Sequence, residues 1–108
     1  MKSFVFGHTS SGLPIPAYQW NNTYPHVLIL GGVHGDEVEG VQASYGILDQ
    51  LLASYTYKLK LTLVPAFNLD GVLAKTRQNK RGVDLNRNLP TQDWTSKVLN
   101  PRYYPGPK

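Results

Sequence analysis

His34 and Glu37 stand three residues apart in Gly31-Gly32-Val33-His34-Gly35-Asp36-Glu37. With Gly35 easing the turn, an imidazole nitrogen and a carboxylate oxygen can converge on a point about 2 Å from each, which is half of a His₂Glu zinc site. The sequence has no cysteine, so disulfides and thiolate metal sites are excluded and a metal must be held by histidine and carboxylate. A plainer reading stands beside this one: Asp36 and Glu37 also suit the first turn of a helix, where the macrodipole favours acids. Further along, Asn68-Leu69-Asp70-Gly71 is a turn signature. Arg77-Gln78-Asn79 and Gly82-Val83-Asp84-Leu85-Asn86-Arg87-Asn88 then gather side-chain donors in a short stretch, which a solvated basic loop would also do.

These residues need elements to hold them. Phe4 to Phe6 alternates weakly, a turn-rich His8 to Gly12 follows, and Leu13 to Tyr18 completes two short strands around a loop. Pro14 and Pro16 lack ladder donors, which predicts that the second strand lies at a sheet edge. Asn21 to Pro25 reads as a turn. His26 to Leu30 reads as a strand buried on both faces, the clearest core strand of the chain. From Glu37 the period changes: Val38, Val41, Tyr45, Leu48 and Leu52, with Ile47 and Leu51 beside them, predict an amphipathic helix to about Ser54. A strand over Leu59 to Val64, stopped by Pro65, completes a βαβ unit with parallel strands and a right-handed crossover. His34 thus falls at the carboxyl end of the central strand, the edge where open α/β sheets bind ligands. From Ala66 onward only short apolar pieces occur, and a stretch so long without periodicity points to function. Asn100 to Lys108 reads as a run of turns that closes nothing. His8 and His26 read as structural, Trp94, Tyr103 and Tyr104 as aromatics that could line a cleft but more often pack, and Lys75, Lys80 and Arg81 as surface charge that could steer acidic peptides.

The composition sets the outer bounds. At 108 residues, 41% of them hydrophobic and 17% charged, the chain makes at most one domain and has enough apolar content for a thin core, which excludes whole-chain disorder. Its longest apolar run, Val27 to Leu30, is strand-sized, so no membrane span is expected. The opening residues lack the apolar run of a signal peptide, which predicts a cytoplasmic protein. The net charge of +4 comes from scattered basic residues and one cluster between Lys75 and Arg87. Interleaved with Asn and Gly, that cluster suits small anions better than a nucleic-acid backbone, and no nucleic-acid partner is expected.

The run His34-x-x-Glu37, then Asn-x-Asp-Gly, Arg-x-Asn and Gly-Val-Asp-x-Asn-Arg-Asn, in this order and spacing, strongly resembles the funnelin-type zinc carboxypeptidases. Within them it is most similar to bacterial murein peptide amidases; Gly7 to Ile15 resembles their opening hairpin and Tyr104 to Pro107 the segment after the Asn-Arg pair. The resemblance implies an α/β fold: the amino-terminal part of a mixed, largely parallel sheet with flanking helices, with residues 1–108 a portion of one catalytic domain and no second domain. It implies that His34 and Glu37 are ligands of one zinc ion and that Asp84 hydrogen-bonds the far nitrogen of His34, fixing its tautomer. It assigns Arg77 to the oxyanion that forms at the cleaved carbonyl. Asn86 and Arg87 would grip the substrate's free carboxylate, for which a planar guanidinium is suited.

The activity so implied is zinc-dependent hydrolysis of an amide bond beside a free carboxylate, such as the γ-D-glutamyl-diaminopimelate link of a cell-wall peptide. The third zinc ligand and the general base have no counterpart in this sequence, so the remainder of the catalytic domain, or another copy of the chain, is expected to be needed and the chain alone to be inactive. An isolated piece of this kind is expected to expose apolar surface and not to persist as a soluble monomer. Two alternatives remain at this level: a deacylase resembling aspartoacylase and succinylglutamate desuccinylase, which share His-Gly-x-Glu and Asp-x-Asn-Arg, and a non-catalytic carboxylate-binding fragment. The intact Gly-Val-Asp-Leu-Asn-Arg-Asn favours the peptidase.

Overall fold

Alternating side chains let a strand feed two cores at once, and this chain uses that property at its centre. The computed structural model describes every residue except Tyr24, so part of the turn expected over residues 21–25 lies outside the described residues. The strands are β1 (Lys2–His8), β2 (Pro14–Trp20), β3 (His26–Leu30) and β4 (Lys60–Val64), and the helices are α1 (Val38–Ala53) and α2 (Leu69–Ala74). Short 3₁₀ turns cover Leu85–Arg87 and Pro101–Tyr103. The sheet order is β1-β2-β4-β3. The fold is the expected α/β arrangement on a mixed sheet. β3 and β4 pair in parallel around α1, while β1–β2 and β2–β4 pair antiparallel.

Leu61 and Leu63 of β4 join Trp20, Leu48 and Leu51 in one buried cluster, with Tyr55 stacked on Trp20 at 5.7 Å between ring centres. The next residue in β4, Val64, serves the opposite face with Ile15 and Ala17. Apolar burial at these inner positions stabilises the sheet at about 25 cal/mol per Å².

Two expectations for individual strands are corrected. β2 is an inner strand, not an edge strand, because its carboxyl end pairs with β4 as well as β1. The prolines are tolerated because the β4 pairing covers only Tyr18 to Trp20; at Pro14 and Pro16 the strand has a partner on one side alone. β3, read as buried on both faces, is instead an outer strand with Leu28 49% exposed. Its apolar run matches a doubly covered strand, yet among the described residues nothing pairs with its second edge. The same applies to α1, where Leu48 and Leu51 are buried while Val38, Tyr45 and Leu52 remain exposed.

Beyond the strand ends the parallel pair continues as loop-to-loop bonds: Gly31 N–H donates to Val64 O, Phe67 N–H to Gly31 O and Asn68 N–H to Gly32 O. Gly32 sits at φ +64°, a left-handed conformation that a Cβ would strain. α2, read from the sequence as a turn, is a short helix capped by the Asn68 side chain, which accepts from Gly71 N–H at 3.1 Å. No helix among the described residues is long and apolar enough to cross a membrane.

Candidate active site

The loop from Gly31 to Glu37 leaves the carboxyl end of β3 and enters α1, so His34 and Glu37 hang over the sheet edge. Gly35 lets the loop press against α2: a Cβ there would collide with the Gly71 backbone. Glu37 occupies the N-cap position of α1, yet its side chain makes no capping bond. It turns to His34, with Oε2 3.1 Å from Nδ1. The carboxylate thus faces the imidazole while still standing at the helix end, where the macrodipole favours an acid.

Asp84 lies on the other side of the imidazole and is fully buried. Its Oδ1 accepts from His34 Nε2 at 3.0 Å and from the Asn86 backbone N–H at 3.1 Å, and its Oδ2 accepts from Arg77 Nε at 3.0 Å. Burial by itself pushes the Asp84 carboxyl up. The hydrogen bonds from His34 and Arg77, the Arg77 charge and the Asn86 N–H outweigh it and hold the group below the usual carboxylate range.

An ionised carboxylate only accepts hydrogen bonds. With a proton on Nε2 facing Asp84, the Nδ1 lone pair of neutral His34 points at Glu37, another acceptor. Two acceptors at 3.1 Å are compatible only with a cation or a proton between them. Two ligands about 2.05 Å from a tetrahedral zinc are roughly 3.3 Å apart, so the pair fits the metal with little movement. Exposure rises across the triad, from Asp84 at 0% through His34 at 11% to Glu37 at 59% of the side chain, so the Glu37 side opens toward solvent.

The donor-rich segment is fastened around this triad. Asn68, 2% exposed, sends its amide to Val33 O at 3.2 Å and Gln78 O at 3.1 Å, which ties the histidine loop to the arginine loop. The segment expected to close nothing is in fact a clasp. Asp84 N–H donates to Tyr104 O, Asn88 Nδ2 to Pro105 O and Pro107 O, and Gln78 Nε2 to Arg102 O. Gly, Pro and Tyr supply no periodicity, so these bonds leave no trace in a sequence pattern. Arg102 also reaches Asp36 at 3.5 Å across the mouth of the site.

Of the residues singled out in the sequence, His34, Glu37, Asp84 and Arg77 form one connected cluster, and Asn86 joins it through its backbone. The Arg87 side chain and Asn86 line a separate cavity of about 490 Å³ with Tyr103, Trp94 and Lys97. Arg77 and Arg87 both lie over the Tyr103 ring, at 5.1 and 5.5 Å. Sequence reasoning passed over Asn68 and Tyr103, one as a turn residue and one as an aromatic among several.

Residues 1–107 match the zinc carboxypeptidase family. The chain belongs to that family. Among its zinc carboxypeptidase relatives, murein peptide amidase A of Vibrio campbellii is 37% identical over 93 residues, which cover 83% of this chain and 36% of that protein. The crystal structure of the murein-tripeptide amidase of Escherichia coli O157 superposes with a TM-score of 0.65 at 31% identity, over 86% of this chain and 38% of that one. A succinylglutamate desuccinylase/aspartoacylase structure from Rhodobacter sphaeroides superposes at 0.58 with 30% identity, over 75% of this chain and 25% of that one. The chain thus spans between about a quarter and two fifths of the length of these relatives. Among the described residues, no group of three or more His, Cys, Asp or Glu could hold a metal ion; Asp84 meets the histidine on the nitrogen away from Glu37.

Proposed function

We propose that the chain carries part of the active site of a hydrolase that cleaves an amide bond beside a free carboxylate in a murein peptide. The observation that carries this reading is a single imidazole held between two carboxylates, with Arg77 bonded to the buried one and Arg87 sharing the Tyr103 ring with Arg77. His34 Nδ1 and Glu37 would hold the metal. A zinc ion bound there supplies Lewis-acid polarisation of an amide carbonyl and of water.

The chain's own residues do the rest. Asp84 keeps the His34 proton on Nε2 and so leaves the Nδ1 lone pair free to bind metal. Arg77 has Nε committed to Asp84, which fixes the guanidinium plane and leaves its Nη groups as donors for charge developing on the carbonyl oxygen. Asn86 and Arg87 line the adjoining cavity and orient the substrate by its free carboxylate, Arg87 through a bidentate pair. The chain's short span relative to its relatives supports the further reading that residues 1–108 act within a single catalytic domain. The rest of that domain, or another copy, would contribute a third ligand and the general base.

Calorimetric titration of the zinc-loaded protein with the murein tripeptide tests this, because turnover also needs the third ligand and the general base. Saturable binding of the tripeptide is expected, with no release of diaminopimelate by the chain alone. The similarity to succinylglutamate desuccinylase/aspartoacylase structures supports one rival, deacylation of an N-acylated amino acid. Binding of N-acetylaspartate or succinylglutamate in place of the tripeptide would overturn the peptidase reading.

A further inference from the structure

We propose that Tyr103 is a positioning residue: its ring is a shared post that sets Arg87, and with it the carboxylate pocket, relative to Arg77. The proposal rests on the function given above, in which Arg87 binds the substrate carboxylate.

The guanidinium carbons of Arg77 and Arg87 lie 5.1 and 5.5 Å from the centre of the same ring. Two like charges at one aromatic residue repel each other, and the negative face of the ring offsets part of that repulsion while fixing where each cation sits. The backbone on either side of Tyr103 is fastened. Gln78, next to Arg77, donates Nε2–H to Arg102 O at 3.0 Å, and Asp84 N–H donates to Tyr104 O at 2.8 Å. Tyr103 N–H closes its own turn on Asn100 O at 2.9 Å. Anchors thus flank the ring in sequence, one on the Arg77 loop and one on the turn that carries Arg87.

The two arginines depend on the ring unequally. Arg77 keeps its Nε bond to Asp84 whether or not the ring is present. Arg87 meets Tyr103 within the cavity, so the ring pre-orders a long side chain that would otherwise lose rotamer freedom on binding an anion. Loss of the ring should therefore weaken carboxylate binding through Arg87 while leaving the Arg77 bond to Asp84 in place.

The test uses the full chain with ¹⁵N,¹³C-labelled arginine and N-acetylglycine as the probe, a free carboxylate beside an amide. Ring-current shifts of the Arg77 and Arg87 side-chain signals are expected in the wild type, retained in Tyr103→Phe and lost in Tyr103→Leu. The N-acetylglycine Kd should rise about five- to thirtyfold in Tyr103→Leu and stay within about twofold in Tyr103→Phe. With the murein tripeptide the Leu variant should raise the Kd by a similar factor, whereas mere loss of folded protein lowers the number of binding sites at constant Kd. The proposal is overturned if Tyr103→Leu binds as the wild type does, if Phe is as weak as Leu, or if the wild-type shifts are absent. Should the Leu variant fail to fold, the wild-type and Phe shifts decide it. Shifts present without any N-acetylglycine binding would leave the ring's hold on the arginines standing and refute the carboxylate reading instead.

Discussion

Replacing Asp84 by asparagine keeps the side-chain volume and turns half of a pure acceptor into a donor. The carboxylate takes three bonds while fully buried, from His34, the Asn86 backbone and Arg77. Arg77 is always charged, so the amide oxygen of the variant will turn toward it and the NH₂ toward His34 and Asn86. The Asn86 N–H then loses its acceptor, at about 1–3 kcal/mol, and the guanidinium loses a buried counter-charge. The two together should lower stability by about 3 kcal/mol, seen with chelator present as a fall of roughly 1.5 M in the urea midpoint.

The imidazole can rescue its own bond only by switching tautomer, which puts the proton on Nδ1 and removes the lone pair that faces Glu37. Zinc affinity should fall about 10–100-fold, and ¹⁵N imidazole shifts should report the switch. The pH dependence has a definite sign. A carboxyl held below its ordinary value contributes stability that is present above about pH 4 and is lost as pH falls through the folded-state pKa, so the metal-free wild type should lose its advantage over the variant in acid. A loss under about 1 kcal/mol, zinc affinity within about threefold and parallel acid profiles would refute the buried-hub argument.

Glu37→Gln should weaken zinc binding by more than the 10–100-fold expected for Asp84→Asn, measured by competition with a chromophoric chelator, because it removes a ligand and not a ligand's partner. Asn68→Ala strips donors from Val33 O and Gln78 O and orphans Gly71 N–H, so the Tm should drop by about 10 °C or more; a change of a degree or two would mean that the three loops hold without it. Leu28→Lys places a charge on the exposed outer strand, and light scattering should show less self-association with little change in the urea midpoint; a monomeric wild type at micromolar concentration would contradict the premise.

The βαβ unit was legible because its signals are local. The three- and four-residue period from Glu37 gave α1 to within a residue or two at each end, and Pro65 marked the end of β4. The strand environments were not legible. Pro14 and Pro16 reported missing donors, but whether a donor is needed depends on how far the neighbouring strand extends, and β4 stops short of them. The apolar run of β3 reported a capacity for burial, which only a second neighbour can satisfy. α2 was hidden because Asn68 and Gly71 are turn residues until the cap forms.

Local chemistry in the chain determined that a histidine and a glutamate share one loop at a strand end, that no thiolate competes for a metal, and that arginines and asparagines crowd a later segment. Tertiary structure realised the contact that the resemblance implied, Asp84 on the far nitrogen of His34 fifty positions away, and decided that Glu37 forgoes the helix cap and that two guanidinium groups share the Tyr103 ring. Spacing encodes partners a turn or a strand apart. Contacts that close across long loops depend on backbone bonds, such as that from Asp84 to Tyr104, whose donors and acceptors are the same in every residue except proline.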